Sequence, residues 1–162
     1  LVQALYEVNR LNPQDVRLDP KPLKVKPIVI QAIAGFTKKP IDFSILIDQK
    51  LSVKADPHRF RQIIDNLVSN AYKYTSSGKI TIKADKKQFV ITDTGPGIDP
   101  IHLPHIFERL YRAEKSRSRE TGGLGLGLYI VKQLVLLHGW SITVDSHLNQ
   151  GTSFTIDWHT ST

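Results

Sequence analysis

Four glycines, Gly122, Gly123, Gly125 and Gly127, stand at the mouth of an apolar segment that runs on through Leu134. Without Cβ atoms, such residues let main-chain N–H groups come close to a guest, and the unpaired N–H groups at a helix start favour an anion. A flexible hinge ahead of a core helix accounts for the glycines equally well. A second set lies between Asp56 and Tyr74, where Asn66 and Asn70 are four residues apart and Lys73 follows three later. Amide oxygens are hard ligands suited to Mg²⁺, and an ammonium suits the phosphates such an ion bridges, although the same residues also make an ordinary hydrated surface. A third is Asp93, which ends the apolar run Val90-Ile91-Thr92 and precedes the turn Gly95-Pro96-Gly97. A carboxylate fixed there can accept a hydrogen bond from an amino group such as that of adenine and would oppose the carbonyl of guanine; the plain alternative is a surface turn.

These groups need elements to hold them. Asp56 is a suitable N-cap for a helix with Pro57 at its first position. At about 100° per residue, Phe60, Ile64, Leu67, Val68 and Ala71 make one apolar stripe, with Gln62, Asn66, Asn70 and Lys73 opposite. Pro27 to Phe36 predicts a helix ending near Gly35, and Ile41 to Ile47 a strand leading to Leu51–Val53. Lys79–Ala84 and Gln88–Thr92 predict an antiparallel hairpin. The glycine-led helix should stop at Gly139, with strands at Ser141–Val144 and Thr152–Ile156 beyond it. Several helices with a mostly antiparallel sheet predict an α+β, two-layer sandwich.

The 162 residues, 40% hydrophobic, suit one domain with a real core. The chain has no cysteine, which excludes a disulfide framework and a thiolate metal site. No run reaches the length of a membrane span, and no signal peptide is evident. The net charge of +7 fits nucleic acid, an acidic partner or nucleotide phosphates. Its clustering at Arg109, Arg112, Lys115, Arg117 and Arg119, just before the glycines, suits a cationic lid over phosphates, although a run mixed with Glu108, Glu114 and Glu120 is also what a solvated loop looks like.

In this order the blocks resemble the nucleotide-binding catalytic domain of sensor histidine kinases, within the ATPase superfamily that includes gyrase, Hsp90 and MutL. Asp56-x-x-Arg59-x-x-Gln62-x-x-x-Asn66-Leu67-x-x-Asn70-Ala71-x-Lys73-Tyr74-Thr75 resembles the family's N box, and Asp93-Thr94-Gly95-Pro96-Gly97-Ile98 its G1 box. Ile106-Phe107-Glu108-Arg109-Leu110-Tyr111-Arg112 is similar to the F box, and Gly123-Leu124-Gly125-Leu126-Gly127 to the G2 box. Gly151-Thr152-Ser153-Phe154 resembles the closing glycine motif.

The resemblance implies a Bergerat-type fold that binds Mg²⁺ and ATP. Asn70, with Asn66 beside it, would hold the metal, and Lys73 and Arg112 would contact phosphate; Asn66, Lys73 and Arg112 are the candidate catalytic set. Asp93 would hold the adenine amine, Tyr74 would line the base and ribose pocket, and Gly97 would let the base approach. Gly125 and Gly127 would run the backbone along the triphosphate. Gly95, Ile98, Tyr111, Gly123, Leu124, Leu126 and Thr152 complete the implied contacts. Hydrolysing relatives generally carry a glutamate where Asn66 stands, so an amide there favours phosphoryl transfer to an imidazole.

Leu124 and Tyr129 replace a frequent threonine and a small residue, and Gly139-Trp140 replaces a frequent Gly-Gly. None of the six histidines lies in a phosphoacceptor motif. Residues 1–20 are therefore expected to be the end of a dimerisation helix and a linker, and residues 21–160 the catalytic domain, with a lid at about 100–123. The acceptor histidine would lie on a dimerisation domain of a homodimeric bacterial parent, for relay to the aspartate of a response regulator. That parent would be anchored in the plasma membrane with this domain in the cytoplasm. The alternatives are an ATP-binding regulatory module without phosphotransfer and, least favoured, nucleic-acid binding by the basic lid. His102 and His105 have metal-like spacing, but Pro104 interrupts them and no third ligand is near.

Overall fold

The computed structural model describes residues 17–112 and 125–158. Among the described residues three α-helices, α1 (Val25–Ile33), α2 (Pro57–Tyr74) and α3 (Gly127–Leu137), pack against a five-stranded sheet. The strands are β2 (Ile41–Ile47), β4 (Gly78–Ala84), β5 (Gln88–Asp93), β6 (Ser141–His147) and β7 (Gly151–Asp157), in the order β2-β4-β5-β7-β6. β2 and β4 are parallel, and the other pairs are antiparallel. A separate antiparallel ribbon joins β1 (Lys21–Lys24) to β3 (Ser52–Ala55). The expected two-layer α+β sandwich is therefore present, with one addition. Pro20 and Pro22 predict only a break, yet Lys21–Lys24 pairs as a short edge strand, a position that tolerates proline.

α2 is the central helix, and its apolar stripe explains why it forms. Phe60, Ile63, Ile64, Leu67, Val68 and Ala71 are all buried, facing α1, α3 and the sheet. Ile63 joins the expected stripe. Gln62, Asn66, Asn70 and Lys73 do not occupy the fully exposed side, which belongs to His58, Asp65 and Ser69; they lie half-buried on its flank. Packing of α3 against α2 shifts this boundary, because the partner helix covers part of the polar face. The core ends in an aromatic cluster. The Phe60 ring meets Trp140 edge-on with centroids 6.2 Å apart, and Trp158 lies 6.2 Å from both Phe60 and Phe89. Both tryptophans are thus packing residues.

The N-terminus of α2 is held twice. Asp56 Oδ1 accepts the N–H groups of His58 and Arg59, at 3.0 and 3.1 Å, as the expected cap. The Asp56 N–H in turn donates to His138 Nε2 at 3.2 Å, and His138 Nδ1 donates to the Leu134 carbonyl at 2.7 Å. This pattern assigns a neutral ring with its proton on Nδ1. It ties the C-terminus of α3 to the start of α2. Burial lowers the pKa of His138 below the usual imidazole value, outweighing the Leu134 carbonyl and the nearby Asp56 carboxylate.

Phe60→Ala should cost about 3–5 kcal/mol of unfolding free energy in urea titration, since it opens a cavity among the tryptophans. Because the folded-state pKa of His138 is depressed, its contribution to stability is complete above about pH 6.5 and is lost as pH falls through the depressed value. The urea midpoint should therefore drop between pH 7.5 and pH 5, and His138→Phe should flatten that slope; an equally steep slope in the variant would refute the assignment.

Candidate functional site

The end of α2 and the turn after β5 form one corner. Asp93 ends β5 with its carboxylate buried, and Oδ1 accepts the Gly95 N–H at 2.8 Å. Burial raises its pKa above the usual carboxylate value, against the lowering effect of the Gly95 and Thr152 N–H groups. A Cβ on Gly95 would lie 3.1 Å from the Tyr74 carbonyl and 3.4 Å from Thr75 Oγ1, so the turn sits directly on the last residues of the helix. Thr75 is fully buried, and its hydroxyl has no hydrogen-bond partner among the described residues. An electron-rich carboxylate and an unpartnered hydroxyl in one corner offer polar atoms for a ligand's donor or a bridging water.

The other side of the turn is held by the β6–β7 hairpin. Gly97 has a φ of 72°, and a Cβ there would overlap the His147 carbonyl. The Asn149 N–H donates to the Pro96 carbonyl at 2.7 Å, and Ser146 Oγ accepts the Ile98 N–H at 2.9 Å. Ser146 also donates to the Gly151 carbonyl at 3.0 Å and lies 2.9 Å from Thr152 Oγ1. Sequence reasoning missed Ser146 as a support of the site. The signal was present: Ile142 and Val144 alternate inward on β6, and the next inward position is a serine.

The middle of α2 meets the start of α3. Asn66 Nδ2 donates to the Gln62 carbonyl at 2.8 Å, and a Cβ on Gly127 would lie 2.9 Å from Asn66 Oδ1. The amide oxygen thus faces the N-terminal end of α3, where free N–H groups accumulate. Leu126 is the N-cap of that helix and is buried. Gly125, with a φ of 68°, lies against residues 110–112. A Cβ there would come within 2.6 Å of the Tyr111 carbonyl and 3.2 Å of Arg112 Cγ, and the Leu110 N–H donates to the Gly125 carbonyl at 3.0 Å. Tyr111 is tethered in turn by its hydroxyl to His102 Nδ1 at 2.7 Å. His105 Nδ1 meets Glu108 at 2.7 Å, and no cluster of metal-ligating side chains occurs among the described residues.

Asn70 and Lys73 are half-buried on the α2 flank, and Lys73 Nζ lies 5.1 Å from the centroid of the exposed Tyr74 ring. The five sequence blocks therefore approach one another: Tyr74 and Thr75 touch Gly95, Ile98 and Thr152 share Ser146, Asn66 faces Gly127, and Arg112 lies by Gly125. Gly123, Leu124 and the basic run of Lys115, Arg117 and Arg119 lie outside the described residues, as does the expected dimerisation-helix end within residues 1–16. A broad, open polar groove lined by Arg17, Asp56, Arg59, Gln62 and Asn66, among others, adjoins the site at Asn66 but omits Asn70, Lys73 and Asp93. It is too open to enclose a small ligand.

Residues 55–162 match the family described as histidine kinase-, DNA gyrase B- and HSP90-like ATPases. The chain is 33% identical over 164 residues to the signal transduction histidine-protein kinase ArlS of Staphylococcus aureus, a match covering 96% of this chain and 36% of that protein. It thus spans about a third of the length of the curated relatives it matches. The fold superposes on a mycobacterial sensor histidine kinase, MprB, with a TM-score of 0.72 and 28% identity, covering 86% of this chain and 96% of that one. Full-length ShkA in complex with AMPPNP gives a TM-score of 0.79 and 28% identity over 96% of this chain and 34% of that one.

The buried Asp93 generates a prediction of its own. Since its folded-state pKa is raised, its contribution to stability is complete below about pH 4 and is lost as pH rises through the raised value. Asp93→Asn should therefore melt at least as high as wild type at pH 7, with the gap narrowing as pH falls toward about 4. A melting temperature several degrees below wild type at neutral pH would show that the carboxylate serves the fold and not a ligand.

Proposed function

The chain belongs to the histidine kinase-, DNA gyrase B- and HSP90-like ATPase family, and from that premise we propose that it is the ATP-binding catalytic domain of a two-component sensor histidine kinase. The observation that carries the reading is the Asp93 corner, where a buried carboxylate and the Thr75 hydroxyl, unpartnered among the described residues, meet the end of α2. In this reading Asp93 accepts the exocyclic amine of adenine, and Tyr74 lines the base and ribose. Gly95, Gly97, Ile98 and Thr152 shape the base pocket, while Tyr111, Gly123, Leu124, Gly125, Leu126 and Gly127 border the phosphates. Lys73 and Arg112 neutralise phosphate charge, as suits a reaction governed by positioning and electrostatics.

The donor set fits Mg²⁺. Asn70 and Asn66 offer amide oxygens, and the Asn66 oxygen is turned away from its own helix because Nδ2 donates to Gln62. A bound Mg²⁺ would offset the charge of the phosphates; the side chains of this chain hold and orient it. The ArlS, MprB and ShkA names support kinase over hydrolase, as does the amide at position 66. The parent would be a membrane-anchored homodimer. Its dimerisation domain would supply the acceptor histidine and a receiver domain would take the phosphoryl group onward.

Calorimetric titration should show Mg²⁺-dependent ATP binding, weakened at least about tenfold by Asn70→Ala and by Asp93→Asn, a loss of about 1.4 kcal/mol or more. Affinities unchanged by either substitution would overturn the site. Transfer is read separately, as acid-labile phosphate on an added dimerisation domain carrying its histidine; tight binding without transfer would instead mark a regulatory module.

A further inference from the structure

The C-terminus of a helix leaves its last carbonyls without intrahelical partners, and in α2 these include the carbonyls of Lys73 and Tyr74, whose side chains carry proposed nucleotide contacts. The Thr75 N–H takes the Ala71 carbonyl at 3.1 Å. The carbonyls of Tyr72, Lys73 and Thr75 all point to one ammonium. Lys39 Nζ donates to them at 2.6, 3.1 and 2.9 Å respectively, from the loop between α1 and β2. An ammonium has three protons and no acceptor, so this set uses its full donor capacity. Its charge also complements the negative end of the helix dipole.

The loop is fixed for this task. The Tyr72 hydroxyl accepts the N–H groups of Lys38 and Lys39 at 3.1 and 3.0 Å. The Tyr72 ring packs 4.5 Å from Phe36 and 6.4 Å from Phe43, and Lys39 Nζ lies 4.8 Å from its centroid. Tyr72 therefore anchors the loop, and Lys39 returns the contact to the helix end. On the far side of that end, the Tyr74 carbonyl abuts Gly95 of the Asp93 corner.

We propose that Lys39 is a positioning residue for the nucleotide pocket, fixing the last turn of α2 so that Lys73 and Tyr74 face the ligand and Thr75 stays against the Asp93 corner. The inference rests on the reading of the site as an ATP pocket. Lys39 itself touches no reacting atom; it acts through three backbone carbonyls. Removing the ammonium frees the last turn to fray, and the Lys73 and Tyr74 side chains lose their common orientation. Arginine is a poor substitute, since its planar fork cannot converge on three carbonyls as an ammonium does.

Because the chain contains no cysteine, the ammonium can be removed and restored chemically. Lys39→Cys should bind Mg·ATP about tenfold more weakly than wild type. Alkylating its thiol with bromoethylamine in urea, followed by refolding, returns an ammonium at nearly the same reach and should recover most of the lost affinity. Lys39→Met, taken through the same cycle, should stay weak. Amide exchange at residues 72–75 should quicken in Lys39→Met without a matching change in the core strands. Faster exchange confined to residues 72–75 separates positioning from a general loss of stability, and recovery on aminoethylation assigns the effect to the ammonium itself. Wild-type affinity in Lys39→Met, or Lys39→Cys that stays weak after the ammonium is restored and the wild-type control has refolded, would overturn the assignment. Failure of the untouched chain to bind nucleotide would instead overturn the reading of the site.

Discussion

The site depends on the way both ends of α2 are satisfied. A helix leaves four N–H groups and four carbonyls without partners, and burial of either end makes those groups costly. In this chain the N-terminal groups go to Asp56, whose own N–H is held by His138 at the end of α3. At the C-terminus the Ala71 carbonyl goes to the Thr75 N–H, and those of Tyr72, Lys73 and Thr75 go to Lys39, from a loop more than thirty residues upstream. With both ends fixed and the apolar stripe buried, the helix has little freedom to turn about its axis. The half-buried flank carrying Asn66, Asn70 and Lys73 keeps its heading as a result.

Glycine has a different meaning in this structure from the one its sequence pattern first suggests. The positions in the turn after Asp93 and at the start of α3 are crowded by the chain's own atoms. Gly97 backs onto the His147 carbonyl, Gly125 onto the Tyr111 carbonyl and Gly127 onto the Asn66 amide. Each glycine lets two sequence-distant segments touch without a Cβ between them. Gly97 and Gly125 add positive φ values of 72° and 68°, which other residues adopt at a cost. A phosphate-friendly backbone and close packing between motifs are compatible demands, since both need bare main chain.

Local signals made much of this legible. The Asp56-Pro57 start of α2, its buried stripe and the β4–β5 hairpin follow from capping, periodicity and a short polar turn, which act over a few residues. Long-range pairings were harder. The parallel pairing of β2 with β4 joins segments separated by the whole of α2, and nothing in either strand declares its partner. The β1–β3 ribbon hid behind two prolines. Nothing in the sequence around Lys39 marks it, because its role depends on where a distant helix ends. Ser146 lay between these cases: the alternation of β6 pointed it inward, but its three partners come from the turn and from β7.

The chemistry open to α2 narrows further when its carboxylates are followed individually. Hydrolysis needs a base that can take a proton from water, and such a base must have a free oxygen near the phosphates. Asn66 cannot serve: an amide has no basic oxygen of the needed strength, and its nitrogen is already donating to Gln62. Within α2 the single carboxylate is Asp65, exposed and held at both oxygens by Arg61 Nε at 2.7 and 2.8 Å. At the cap, Asp56 Oδ1 is committed to the helix start and Oδ2 accepts the Asp19 N–H at 3.0 Å. The N–H contacts outweigh partial burial and hold the Asp56 carboxyl below its usual pKa, which weakens it as a base. No carboxylate of this helix or its cap is therefore both free and basic. A phosphoryl acceptor that brings its own nucleophile, such as an imidazole, does not need one.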